Sequence, residues 1–244
     1  MKILISQHVP SNLAPYEILQ NRFGAELAFH PFFLIEPLSA KEFRAEHINL
    51  PDYTAIIFSS RHAIDAYFKL CEEMRFKVPE TMKYFCSTDA VAMYLQKHIV
   101  YRKRKIFYGT GTPASIAALI TAKHKGEKFL VAASEGSNTA PLTSLLEAAG
   151  LDYTVGVLVK AVSQDLRELD LKAYDIAVLC NPADVASLRE NFPDFQQGDL
   201  KIISFGKAVV KSLEEAGFTI ALQAPTPEAT SISKAVELYL QSVR

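Results

Sequence analysis

One segment of this chain is written twice. Ala55-Ile56-Ile57-Phe58 runs into a small polar turn, Ser59-Ser60, and then into the amphipathic stretch Arg61 to Phe68. Ile176-Ala177-Val178-Leu179 runs into Cys180-Asn181-Pro182 and then Ala183 to Leu188 in the same way. A short β-rich run, a tight polar turn and a helix form the building unit of a parallel α/β sheet. Two halves built on this unit are expected to set two groups of strand-end loops opposite each other. The cleft so formed is where a function would sit.

The unit recurs along the chain. Ile3 to Ser6 reads as a buried strand, and Pro10 to Phe23 as a helix stopped by Gly24. Residues 25–35 read as extended, and Pro37 closes that segment. Strands are expected at 52–58, 83–86, 106–108 and 129–132, with helices at 61–75, 90–97, 113–123 and 139–149. Residues 153–162 read as extended again. Strands at 176–180, 202–205 and 218–221 then alternate with helices at 185–191, 207–216 and 230–241. The first βα unit stands alone, and the last stretch lacks a full set of strands. Joining them gives one discontinuous α/β domain, 1–30 with 163–244, and leaves 38–152 as an inserted α/β domain. Segments 31–37 and 153–162 are then a two-stranded antiparallel connector, whose backbone groups satisfy each other. The expected fold is thus two flavodoxin- or Rossmann-like parallel-sheet domains. Two sequential domains, 1–125 and 126–244, are the alternative.

Composition excludes several functions. With 244 residues, 49% hydrophobic and 22% charged, the chain is long enough for two ordinary globular cores. A net charge of -1 steers neither nucleic acid nor an anionic membrane. The basic run Arg102-Lys103-Arg104-Lys105 precedes a strand and reads as a solvated edge. Cys71, Cys86 and Cys180 have no metal-ligand spacing, and their odd number argues against a disulfide framework. Polar Ser6-Gln7-His8 interrupts the first apolar run, so no signal peptide is expected. No run approaches the ~20 apolar residues of a membrane span. A cytoplasmic monomer without metal or cofactor is the expectation.

The strand ends carry the candidate chemistry. They offer Ser6, Gln7 and His8; Ser59, Ser60, Arg61 and His62; and Ser87 and Thr88. Further along come Gly109 and Thr110; Ser134, Gly136, Ser137 and Asn138; Asn181 and Ala183; and Gly206 and Lys207. Hydroxyls, amides, glycines and a few cations at helix N-termini suit carboxylates or phosphates. The same residues are also ordinary N-caps, each stabilising its helix by ~0.5–2 kcal/mol with no ligand. Gly109-Thr110-Gly111-Thr112-Pro113 lacks the third glycine of a dinucleotide loop. Tyr108 ends a strand beside that loop, where it can lean over a planar ligand or simply pack. No nucleophile–base pair is visible, so the catalytic residues stay unassigned.

In order and spacing, five segments resemble the uroporphyrinogen-III synthase family: 52–64, 130–150, 174–185, 204–218 and 224–230. The resemblance spans essentially the whole chain. It implies two α/β domains joined by a two-stranded ladder, with the N-terminal βα unit in the C-terminal half. It also implies cofactor-free cyclisation of hydroxymethylbilane to uroporphyrinogen III with inversion of ring D. Substrate would be held by the strand-end residues named above, with a transient contact to hydroxymethylbilane synthase. A non-catalytic tetrapyrrole-binding relative is the alternative. Three positions depart from the family pattern. Val159 stands where the family often has tyrosine, and Asp89 and Val209 replace hydroxyl positions.

Overall fold

The computed structural model describes residues 1–120 and 122–243. The chain divides into two units, Met1–Leu34 with the segment from Val162 onward, and Ile35–Ala161. β1 (Lys2–Ile5), α1 (Ala14–Phe23) and β2 (Glu26–Phe29) open the first unit, and β3 (Phe33–Pro37) leads into the second. The second unit continues with α2 (Ala40–Phe43), β4 (Ala55–Phe58), α3 (Arg61–Glu73), β5 (Lys83–Cys86) and α4 (Asp89–Tyr94). It is completed by β6 (Ile106–Tyr108), α5 (Pro113–Leu119), β7 (Lys128–Ser134), α6 (Ala140–Ala148) and β8 (Asp152–Ser163). The chain then returns to the first unit with β9 (Ile176–Leu179), α7 (Pro182–Asn191), β10 (Lys201–Phe205), α8 (Lys207–Glu215), β11 (Ile220–Ala224) and α9 (Ile232–Ser242).

The first unit holds a five-stranded sheet in the order β2-β1-β9-β10-β11, parallel throughout. Strand residues alternate between faces, so Ile3 and Ile5 pack with Tyr16, Leu19 and Val236 of α1 and α9. Leu4 packs on the other face with Val185, Leu188 and Leu213 of α7 and α8. Both faces are covered, which is why β9 and the Ile3–Ile5 stretch of β1 are apolar without interruption.

The second sheet runs β3-β8-β7-β4-β5-β6. The pairs from β8 to β6 are parallel. At the two ends of β3, Leu38 N–H donates to Leu158 O at 2.8 Å, and Gln164 N–H donates to Phe32 O at 2.9 Å. Residue numbers fall on one side as they rise on the other, so β3 lies antiparallel to β8. Ile56 and Phe58 pack with Ile64, Tyr67 and Leu70 of α3. Ile57 packs with Ile116 and Leu146 of α5 and α6. The buried stripe of α3 recurs at three- and four-residue spacing, and each large side chain contributes about 1.5–3 kcal/mol by leaving water.

Several boundaries differ from those read in the sequence, each for a physical reason. α1 begins at Ala14, not Pro10, because Asn12 Oδ1 accepts from Ala14 N–H and Pro follows at the helix start. Gly24 ends it in the left-handed region at φ 66°, its N–H reaching Gln20 O. Within the extended stretch 25–35, residues 26–29 form β2 and pair with β1. Residues 153–162 are more than a connector: β8 runs beside β7 from Asp152 to Val159. β11 starts at Ile220, not Phe218, because Gln197 takes both backbone groups of Thr219, at 2.8 and 2.9 Å.

Gly156 marks the tightest spot in β8. A Cβ there would lie 2.9 Å from Ile48 Cδ1 and 2.9 Å from Leu130 Cδ1. Gly156→Val is expected to destabilise the protein by about 1–3 kcal/mol through overpacking, measured as a fall in the urea midpoint.

Candidate functional site

In each sheet the strand order reverses direction at one point, and the crevice beyond the carboxyl ends of those two strands is the natural ligand position. In the first unit that point lies between β1 and β9, and in the second between β4 and β7. Two other cavities among the described residues sit at the opposite edge. One of about 660 Å³ lies beside Gln197 and Thr219 at the amino ends of β10 and β11. Another of about 210 Å³ lies beside Met82 and Ile106, next to the Arg102–Lys105 run.

In the second unit, Ser60, Thr88 and Thr112 accept from the N–H groups of Ala63, Val91 and Ser115. These hydroxyl oxygens cap α3, α4 and α5, and each O–H keeps its proton to donate. Gly109 is packed so closely that a Cβ would lie 2.3 Å from Ser115 Oγ. That hydroxyl in turn holds Thr110 N–H at 2.9 Å. Gly136 takes φ 68°, turning the β7 loop, and Ser137 Oγ donates to Ser134 O at 2.7 Å. The Asn138 side-chain oxygen accepts from Ala140 N–H at 3.1 Å. A cavity of about 230 Å³ opens here, with Ser59 and Ser134 on its lining.

Arg61 and His62 are exposed at the start of α3. The Arg61 guanidinium lies over the Tyr94 ring, 5.4 Å from its centroid. The Tyr94 hydroxyl donates to Asp65 Oδ2 at 2.8 Å, and His98 Nε2 stands 2.8 Å from Asp65 Oδ1. Burial pushes the Asp65 carboxyl up, but the hydrogen bonds from Tyr94 and His98 outweigh it and hold it below its usual range. Arg61 forms no ion pair among the described residues, so its charge faces solvent. Tyr94 is not visible as a site residue in the sequence, since nothing local marks a helix-end tyrosine as an arginine platform.

The first unit's reversal point is closed by a residue that no sequence motif singles out. Asp184 is fully buried at the start of α7. Its Oδ2 accepts from Ser6 Oγ at 2.6 Å, Cys180 N–H at 2.8 Å and Asn181 N–H at 2.9 Å. Its Oδ1 has no partner among the described residues. Burial pushes the carboxyl up to about 6, although the three donors pull the other way. Ser6, expected at the rim, is therefore buried and engaged with Asp184. Ala183 N–H is taken by Asn181 Oδ1 at 3.0 Å. His8 and Lys207 stay exposed. Gly206 gives its N–H to Ala224 O at 2.7 Å, and α8 starts there with no side-chain cap.

No group of three His, Cys, Asp or Glu residues suited to a metal ion occurs among the described residues. Among them, too, no helix is long and apolar enough to cross a membrane.

A sequence model described as uroporphyrinogen-III synthase HemD matches residues 16–234. The chain belongs to the uroporphyrinogen-III synthase family. Solved structures agree on the fold. Uroporphyrinogen-III synthetase from Helicobacter pylori superposes with a TM-score of 0.57 at 18% identity, over 100% of this chain and 99% of that one. A mutant uroporphyrinogen III synthase from the extremely thermophilic bacterium Thermus thermophilus gives 0.53 at 14% identity, over 99% of both chains. No curated protein sequence matches significantly.

Membership gives meaning to the three departures. Val159, at the position read as the family's tyrosine, is 1% exposed and sits in the core beside Leu158. Val209 is equally buried and packs with Leu213. Asp89 is exposed in the first turn of α4, where a carboxylate is favoured by the helix dipole.

Asp184 generates a pH prediction. Its native carboxyl holds a proton more tightly than the unfolded one, with an ordinary value of 3.8 against about 6. Native protein then binds more protons between those values, so this group's contribution to stability falls as pH rises through about 4 to 6. Asp184→Asn removes that dependence. Relative to the variant, the native chain is expected to lose about 2 kcal/mol from pH 4 to pH 7, read from urea unfolding at each pH.

Proposed function

We propose that the chain acts as a uroporphyrinogen-III synthase, a lyase that cyclises hydroxymethylbilane to uroporphyrinogen III with inversion of ring D, without a cofactor. The observation that carries this reading is the family match across residues 16–234. The strand orders support flavodoxin-like and Rossmann-like sheets. Counted within each unit they run 2-1-3-4-5 and, setting β3 aside, 3-2-1-4-5. In the same reading the protein is a cytoplasmic monomer that receives substrate from hydroxymethylbilane synthase.

The chemistry asks little covalent work of the protein. The C–O bond of the terminal hydroxymethyl group breaks, the oxygen leaves as water after taking a proton, and an azafulvene cation remains. The substituted carbon of ring D supplies the electron pair for a new C–C bond, giving a spiro-pyrrolenine that fragments and recloses. The linear substrate also closes unaided to the non-inverted isomer, so the task is to hold one bent pose. Hydroxyl, amide and backbone donors at the strand ends of the second unit meet substrate carboxylates, and Arg61 adds charge. Fixing the reacting carbons in this way lowers the entropic barrier to the disfavoured attack.

The buried Val159 favours a second reading, a relative that binds a tetrapyrrole without turning it over, because that position offers no phenol. Incubating hydroxymethylbilane with the protein and separating isomers I and III by chromatography decides between them. Isomer III in excess is expected. Tight product binding with isomer I alone would establish the second reading. Arg61→Gln is expected to raise KM about twofold to fivefold at low ionic strength and less at high salt. An unchanged KM at low salt would remove Arg61 from substrate recognition.

A further inference from the structure

The cavity at the carboxyl ends of β4 and β7 differs in kind from the rim around it. Its floor is apolar sheet, Ile57 and Val131, and its walls are Ile116 of α5 and Leu142 of α6. Its mouth carries Ser59, Ser134, Asn138 and Thr139. The hydroxyls of Ser59, Ser134 and Thr139 and the side-chain nitrogen of Asn138 make no hydrogen bond to protein among the described residues. They contrast with Ser60, Thr88 and Thr112, whose oxygens cap helices. An apolar pocket crowned by unengaged polar groups, at the point where the strand order reverses, is the form of a small-molecule site.

Size selects the occupant. About 230 Å³ is too little for four pyrroles. It is ample for one ring, since an apolar cavity of about 150 Å³ holds benzene. A ring inside the linear chain carries a bridge on each side and cannot enter a pocket floored by a sheet, whereas a terminal ring carries only one. Eight carboxylates on four rings leave two per ring, and the four polar groups at the mouth suit such a pair. No acidic side chain lines the pocket to repel them.

We infer that this pocket is a socket for one terminal pyrrole ring of the substrate, its face against Ile57 and Val131 and its two carboxylate arms at Ser59, Ser134, Asn138 and Thr139. This inference rests on the proposed synthase reading and specifies how that site fixes a ring. A seated ring cannot turn about its single bridge, which is the freedom that must be controlled if one face is to be attacked.

The test uses the full-length protein and a monopyrrole bearing two carboxylate arms. In a methyl NMR titration, saturable shifts are expected at Ile57, Ile116 and Val131. Ser134→Ala and Thr139→Val should each weaken the monopyrrole measurably, and Ile116→Phe, which fills the socket, about tenfold or more. Val100→Phe, on an exposed residue at the opposite sheet edge, should leave binding unchanged. Shifts confined to other methyls, or no saturation, would overturn the socket, and the wild-type titration decides this even if Ile116→Phe does not fold. Folded Ile116→Phe that forms isomer III at wild-type KM would overturn the socket while leaving the synthase reading intact. Monopyrrole seated in the pocket of a protein that forms only isomer I would keep the socket and end the synthase reading.

Discussion

Parallel pairing is the constraint on which everything else in this molecule rests. β1 lies beside β9, so Ile3 to Ile5 take their partners from Ile176 to Val178, far along the chain. Because neighbouring strands run the same way, every following turn and helix start falls on one edge of the sheet. Ser6 and Asp184 meet there although 178 positions separate them. In the second unit the same rule gathers the ends of β4, β5, β6 and β7, and with them the polar turns that hold Ser59, Thr88, Thr110 and Ser134.

At the two reversal points the outcomes diverge. The turn after β9 places Asp184 at the third helical position, where the equivalent residue after β4 is Ala63. The acid reaches back to Ser6 and to two backbone N–H groups, binding β1 and β9 together by a polar knot. Holding a carboxylate in that dry setting costs stability at neutral pH, and its three donors only partly offset the burial. After β4 there is no such knot. Ser59, Ser134, Asn138 and Thr139 line a cavity there, so the second unit offers a recess where the first offers a sealed junction.

Much of this is legible in the chain. β5 and β6 fall on the residues expected for them, because short runs such as Lys83 to Cys86 and Ile106 to Tyr108 are bounded by turn residues and have no helical period. The hydroxyls before α3, α4 and α5 are readable as caps or as ligands, and the fold uses them as caps. What the chain hides depends on distant partners. Asp184 looks like any acid in a first helical turn until Ser6 arrives from another strand. β11 starts late because a glutamine side chain intercepts Thr219. The pocket itself exists only where β4, β7, α5 and α6 converge, and no local pattern encodes a void.

The separation of engaged from unengaged hydroxyls bears on how natural variation in such chains should be weighed. At Ser60 or Thr88 a change strips a cap, so folding alone is enough to oppose it. At Ser134 or Thr139 the architecture demands nothing of the hydroxyl, and a methyl in its place would leave no backbone group bare. Persistence of a polar side chain there across descendants would therefore record selection by whatever enters from solution, uncontaminated by the demands of the scaffold.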